Sequence, residues 1–347
     1  LFNFKISSNF LIMNYSQIIN SITQKSFSPI YLLYGDEPYF IKKICDALQK
    51  NVVEEESKTF DEKILYPEKG IDMNGLLCDL KSYPITGQSQ LFIIKNAENL
   101  RDLSRLETYF LSPQISTVLV LCLHKEWRSI KTLKTKKWFK IINEKFIAFE
   151  SKKLFENQIP NWISNYIKEK GYTSSFKVNT MLSEFLGNDL EKITNEIDKL
   201  TIVLTKKNID EFDIEKHVGI SRDFNSFELQ NSLALKDYQK SLRIINYLLK
   251  NKYPVVLIIS SLYTLFSKLL VLHSLKDKSK GIVSSKLKIN PYFFSMYNTA
   301  SINYSFQKCT QIINFLQEAD LASKGIPIST NFNPNFLQQL IFRIIHE

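Results

Sequence analysis

Gly35 closes the apolar run "IYLLYG" and is followed at once by "DEPYFIKK", so a strand-like segment passes through a glycine into a helix-like one. A phosphate-binding loop begins in this way, because glycine lets successive backbone N–H groups wrap a phosphate while a lysine neutralises its charge. Such a loop continues from its first glycine as G-x-x-x-x-G-K-[ST]. Here Asp36, Glu37 and Pro38 follow instead, with no second glycine and no Lys-Ser or Lys-Thr pair, and the two carboxylates would repel a triphosphate. Pro38 suits the first turn of a helix. The stretch therefore reads as a turn and helix start that hold no nucleotide, and no cofactor is expected.

A second candidate is the run 124–140, "HKEWRSIKTLKTKKWFK". It carries Lys125, Arg128, Lys131, Lys134, Lys136, Lys137 and Lys140 against a lone glutamate, with Trp127, Trp138 and Phe139 between them. Cations interleaved with aromatic rings suit a phosphate backbone or unstacked bases. The plainer reading is an amphipathic surface helix whose aromatics pack inward and whose charges are solvated. The two are compatible.

A third lies in "LKSYPITGQSQLFIIKNAE", where Pro84, Ile85 and Thr86 fall in an irregular segment between a helix and a buried strand. An apolar residue exposed there could enter a partner's pocket; otherwise it covers the chain's own core. Cys45, Cys78, Cys122 and Cys309 form no CxxC pair, and His124, His217, His273 and His346 form no ligand cluster. A structural zinc or a disulfide framework is thus not expected. Neither a Ser/His/Asp set nor a carboxylate pair with acid/base spacing stands out, so no catalytic site is expected in this chain.

The elements that must carry these residues change character along the chain. From Met13 to Glu150, "IYLLYG", "TFDEKILY", "QLFIIKNAE", "TVLVLCLH" and "FIAFES" alternate with helical stretches. Apolar runs without period-2 polarity indicate strands buried on both faces, as in a parallel sheet flanked by helices. From about Lys152 helical periodicity takes over. Leu182, Phe185, Leu186, Leu190, Ile193, Ile197 and Leu200 recur at three- and four-residue steps, with Gly187 ending one helix and Asn188 capping the next, Glu191 three residues on. Another break comes at "VGISRDFNSF", and only helical patterns follow it. Boundaries are placed near 152 and 219.

Of the 347 residues, 44% are hydrophobic and 13% aromatic, which supports packed cores and more than one domain. The net charge of +10 favours polyanions. The first twelve residues precede Met13 without the pattern of a signal peptide, so Met13 is the expected start. The segment Pro254–Leu275 approaches membrane-span length but carries Lys268, His273 and several hydroxyls, and reads as a buried helix with no membrane partner.

Six segments in order, "PIYLLYGDEPYFIKK", "YPITGQSQLFIIKNAE", "WISNYIKEKGY", "LGNDLEKITNEIDKL", "ISRDFNSFEL" and "LQEADLASKG", resemble the delta subunit of bacterial DNA polymerase III, the clamp-loader subunit that opens the sliding clamp. The resemblance spans nearly all of the chain from Met13. It implies an AAA+-like α/β clamp-binding domain without a nucleotide site over residues 13–152, a helical lid over 153–218 and a helical collar for oligomerisation over 219–347. It also implies as partners the beta sliding clamp, the gamma/tau ATPase subunits, delta prime and primer-template DNA, in the cytoplasm. In such subunits the clamp-binding element is a hydrophobic pair just after a proline, which falls here on Ile85 and Thr86, the threonine departing from the pattern. Two rival readings are a degenerate AAA+ ATPase and a standalone nucleic-acid-binding protein. The first lacks G-K-[ST]. The second would use the 182–200 helix pair, where Asp189, Glu191, Glu196 and Asp198 outnumber the lysines.

Overall fold

The structure, a computed structural model, describes residues 13–67, 72–100, 102–123, 130–219, 221, 223–324 and 335–347. The chain divides between Leu154 and Phe155 into two compact units.

The first unit is built on five parallel strands, β1 (Ile30–Gly35), β2 (Glu62–Leu65), β3 (Gln90–Ile94), β4 (Thr117–Leu123) and β5 (Ile147–Ser151), in the spatial order β2-β3-β4-β1-β5. Every residue of β3 and β4 is buried, and so are the first five of β1, which is the two-sided burial that unbroken apolar runs require. The two-residue period then divides each strand between two cores. Ile30, Leu32 and Tyr34 pack on one face with Phe92, Leu119 and Leu121, against Leu76, Leu80, Phe110 and Phe139. Tyr31 and Leu33 pack on the other with Ile93, Val120 and Cys122, against Ile18, Ile44, Cys45 and Leu48.

The segment "TFDEKILY" differs from expectation in its first half. Lys58–Asp61 forms a helical turn and β2 begins only at Glu62. This short edge strand is half-exposed, so it lacks the two-sided burial that makes its neighbours legible.

In the second unit the helices Ile159–Glu169, Phe176–Leu186, Leu190–Val203 and Glu211–Val218 come first, with a two-stranded pair at Thr173–Ser174 and Asn208–Ile209. Gly187 does end one helix, with φ +73°. The next is capped by Asp189, whose carboxylate accepts the Lys192 N–H at 3.0 Å, rather than by Asn188. Leu182, Leu190, Ile193, Ile197 and Leu200 are buried as their spacing indicates, while Phe185 faces solvent.

From Ser226 the described residues form helices, and Val255–Ser274 is the longest of them. By length and composition alone that helix could cross a membrane. In the fold, Ile258, Leu262, Leu265, Phe266, Leu269 and Leu272 make one buried stripe against the helices Phe306–Ser323 and Ser226–Ala234. Val256, Tyr263 and Val271 stay exposed on it.

Candidate partner-binding site

The turn after β1 is filled by its own chain. Gly35 has φ +135°, and the N–H groups of Asp36 and Glu37 both donate to the Ser151 carbonyl at the end of β5, at 2.9 and 3.2 Å. The Ser151 hydroxyl donates back to the Glu37 carbonyl at 2.6 Å. A Cβ on residue 35 would lie 2.1 Å from the Ser151 oxygen, so this approach needs glycine. Glu37 is buried and caps the Pro38–Asn51 helix by accepting the Tyr39 N–H at 3.1 Å. The backbone donors that a phosphate loop would turn to its ligand are thus satisfied inside the fold.

The loop from Ser82 to Ser89 has the opposite character. Helix Met73–Lys81 ends in the extended residue Ser82, and the chain re-enters the sheet at Gln90. Gln90 fixes one end, its side-chain amide donating to the Ser82 carbonyl at 2.7 Å and to the Thr117 hydroxyl at 2.8 Å.

Asp61 fixes the middle. Its Oδ1 accepts the Ile85 N–H at 2.6 Å, and its Oδ2 accepts the Thr86 N–H at 3.0 Å, the Thr86 hydroxyl at 2.9 Å and the Gly87 N–H at 2.6 Å. Burial pushes this carboxyl up, but the hydrogen bonds from Ile85, Gly87 and Thr86 outweigh it and hold it below the ordinary aspartate value. On a loop so braced, Ile85 is 74% exposed and Tyr83 77% exposed, with Pro84 half-buried between them. Sequence reasoning missed Asp61 because its partners lie 24 to 26 residues on, in a segment without periodicity.

Of the basic run, Lys125 and Arg128 lie outside the described residues, as do Trp127 and the side chain of Lys131. Lys134, Lys136, Lys137 and Lys140 are exposed on the helices Ile130–Thr135 and Lys137–Lys145 or between them. Lys134 pairs with Glu150 at 2.9 Å and Lys137 with Glu107 at 3.3 Å. Trp138 and Phe139 are buried in the sheet core, so they are not a stacking surface.

The fold also brings Cys45 and Cys122 together, distant as they are in sequence. Both are buried free thiols with sulfurs 3.6 Å apart. The hydrogen bond from Cys122, helped by Lys95, lowers the Cys45 thiol against the effect of burial.

Comparison with known proteins points one way. The family model for the DNA polymerase III delta subunit matches residues 31–152, and that for the C-terminal domain of the same subunit matches residues 223–341. DNA polymerase III subunit delta of Bacillus subtilis (strain 168) is 25% identical over 317 residues, covering 88% of this chain and 90% of the relative. A further relative, from Aquifex aeolicus (strain VF5), is 28% identical over 183 residues, covering 50% of this chain and 51% of its own.

The solved structure of the Bacillus subtilis DNA clamp loader delta protein covers 96% of this chain and is itself covered completely, with a TM-score of 0.58 and 22% identity. The fold is that of this clamp loader delta protein, a parallel-sheet unit followed by a mainly helical one. With both of its family models matched in order, the chain belongs to the DNA polymerase III delta-subunit family.

Proposed function

We propose that this protein is the clamp-loader subunit that grips the beta sliding clamp and holds its ring open, using binding energy and no covalent chemistry of its own. The observation that carries this reading is Ile85, which stands 74% exposed on the Pro84–Thr86 loop while the carboxylate beneath it fixes the backbone. A large aliphatic side chain held out into water on a braced loop suits insertion into an apolar pocket, where its burial contributes about 1.5–3 kcal/mol. If the pocket is better formed in the open ring, the same contact shifts the ring toward opening by that difference in affinity.

Three domains fit this role: residues 13–152 for the clamp, 153–218 as a lid and 219–347 as the collar that meets the gamma/tau ATPase subunits and delta prime. ATP is then handled by those neighbours, which agrees with the internally satisfied turn at Gly35. Primer-template DNA is assigned to the surface of Lys134, Lys136, Lys137 and Lys140, whose exposure supports it. The working compartment is the cytoplasm.

Surface plasmon resonance against the immobilised clamp of the same organism tests the reading with Ile85→Asp. That change sets an unpaired charge in an apolar pocket and should weaken binding at least a hundredfold. The melting temperature should stay within a degree or so, since the side chain has little to lose in the free protein. Parent-like clamp binding by the variant refutes the assignment.

A further inference from the structure

Thr86 and Tyr83 exchange roles relative to what their positions after and before the proline suggest. The Thr86 N–H and hydroxyl are both committed to Asp61, at 3.0 and 2.9 Å, which leaves a single methyl group for any partner. Tyr83 is 77% exposed, and with Ile85 at 74% it is the other large apolar surface that the loop holds in water.

Asp61 itself is 2% exposed, and its two oxygens serve three consecutive backbone donors and one hydroxyl. An ionised carboxylate has acceptor sites for all four, and the bonds to it are charge-assisted. An amide would offer one oxygen and turn its own N–H groups toward donors. Gly87 completes the hold, since a Cβ there would approach Oδ2 of Asp61 to 3.2 Å. A loop ordered in advance loses less conformational freedom on binding than one that must settle against its partner.

We propose that the clamp-facing pair is Tyr83 with Ile85, and that Asp61 is the positioning residue that presents them, with Thr86 part of its hold. This rests on reading the loop as the clamp contact. The pair offers an aromatic and an aliphatic side chain two residues apart, the combination of bulk and low flexibility that anchors protein interfaces.

The test uses the full chain and the immobilised clamp of the same organism, with a melting curve for every variant. Tyr83→Ala should weaken binding roughly tenfold at an unchanged melting temperature. Thr86→Val, which adds a methyl group but deletes a bond to Asp61, should weaken binding a few-fold rather than tighten it. Asp61→Asn should weaken it roughly tenfold in the parent and clearly less on a Tyr83→Ala background, because part of its effect is exerted through Tyr83.

The arms separate the possible failures. Loss of binding in Ile85→Asp together with parent-like Tyr83→Ala and a tighter Thr86→Val would overturn the pair and leave the clamp assignment standing. Parent-like Ile85→Asp would overturn both. An Asp61→Asn penalty of equal size on the two backgrounds would reduce Asp61 to a purely structural role. Should Asp61→Asn lower the melting temperature appreciably, Tyr83→Ala still decides the pair, because that side chain is exposed.

Discussion

Two loops of the first unit solve the same local problem with opposite results. At Gly35–Glu37 two successive N–H groups converge on the Ser151 carbonyl, and at Ile85–Gly87 three converge on the Asp61 carboxylate. Converging backbone donors make a nest that attracts an anion or a ligand oxygen. In both places the chain supplies that oxygen itself. The first turn is pinned to β5 and closed, with Glu37 buried beside it. The second is pinned from beneath and keeps its apolar side chains outside. What a nest does thus depends on whether its internal acceptor lies across the opening or below it.

The largest effect should come from breaking the closed nest. Gly35→Ala would require a φ near +135°, which side chains rarely adopt, and would place Cβ 2.1 Å from the Ser151 backbone oxygen. Strain of this kind together with a backbone shift should cost about 4 kcal/mol. The urea midpoint of the sheet unit should fall accordingly. A midpoint within experimental error of the parent would show that the turn is not latched to β5.

Breaking the open nest should cost less and carry a pH signature. At neutral pH, Asp61→Asn should destabilise by about 2 kcal/mol, the worth of a bond or so to a charged acceptor. The folded carboxyl sits below its ordinary value, so its contribution is complete only above about pH 5, starts to fall as the unfolded carboxyl protonates near about pH 4, and is lost as pH falls through the lower folded value. The gap between parent and variant in urea melts should therefore narrow on acidification from pH 5 toward pH 3. A gap independent of pH would mean that Asp61 acts by shape and not by charge.

A milder test of the same nest is Gly87→Ala. The new Cβ would meet Oδ2 of Asp61 at 3.2 Å and Ser57 at 3.4 Å, all of them side-chain atoms. The cost should be about 1 kcal/mol, since these neighbours can give by a few tenths of an ångström. Differential scanning calorimetry beside Gly35→Ala would rank the two glycines, and equal losses would erase the distinction between a backbone wall and a side-chain floor.

The closed nest was largely legible in the sequence and the open one was not. β1, β3 and β4 announce themselves as unbroken apolar runs because both their faces are buried, and Gly35 with Pro38 punctuates the turn between strand and helix. The identity of the acceptor is a tertiary fact: Ser151 lies at the far end of β5, 114 residues from its partner Glu37. Ile85 could be singled out by type and place. Asp61 could not, since it sits where an expected strand gives way to a helical turn and its donors are irregular backbone. Trp138 and Phe139 teach the same lesson in reverse, for the basic residues around them hint at nucleic acid while the fold spends both rings on the core. A pattern reports which face an element buries. It does not report which distant oxygen a loop finds.

The smallest expected effect is none at all, and it bears on the closed nest alone. ATP bound at the β1 turn would need the N–H groups of Asp36 and Glu37, which face Ser151 at 2.9 and 3.2 Å. Freeing them would unpin the turn from the end of β5 and leave the Ser151 carbonyl unpaired, a penalty of about 1–3 kcal/mol per buried group before any phosphate is bound. The triphosphate would then meet the exposed Asp36 and the buried Glu37 without the lysine that a phosphate loop provides. Isothermal titration of the full chain with Mg-ATP up to about 1 mM, an affinity equivalent to roughly 4 kcal/mol, should give no heat beyond dilution. Micromolar binding would mean that the nest opens readily to an external anion, and the contrast between the two loops would then be one of occupancy and not of construction.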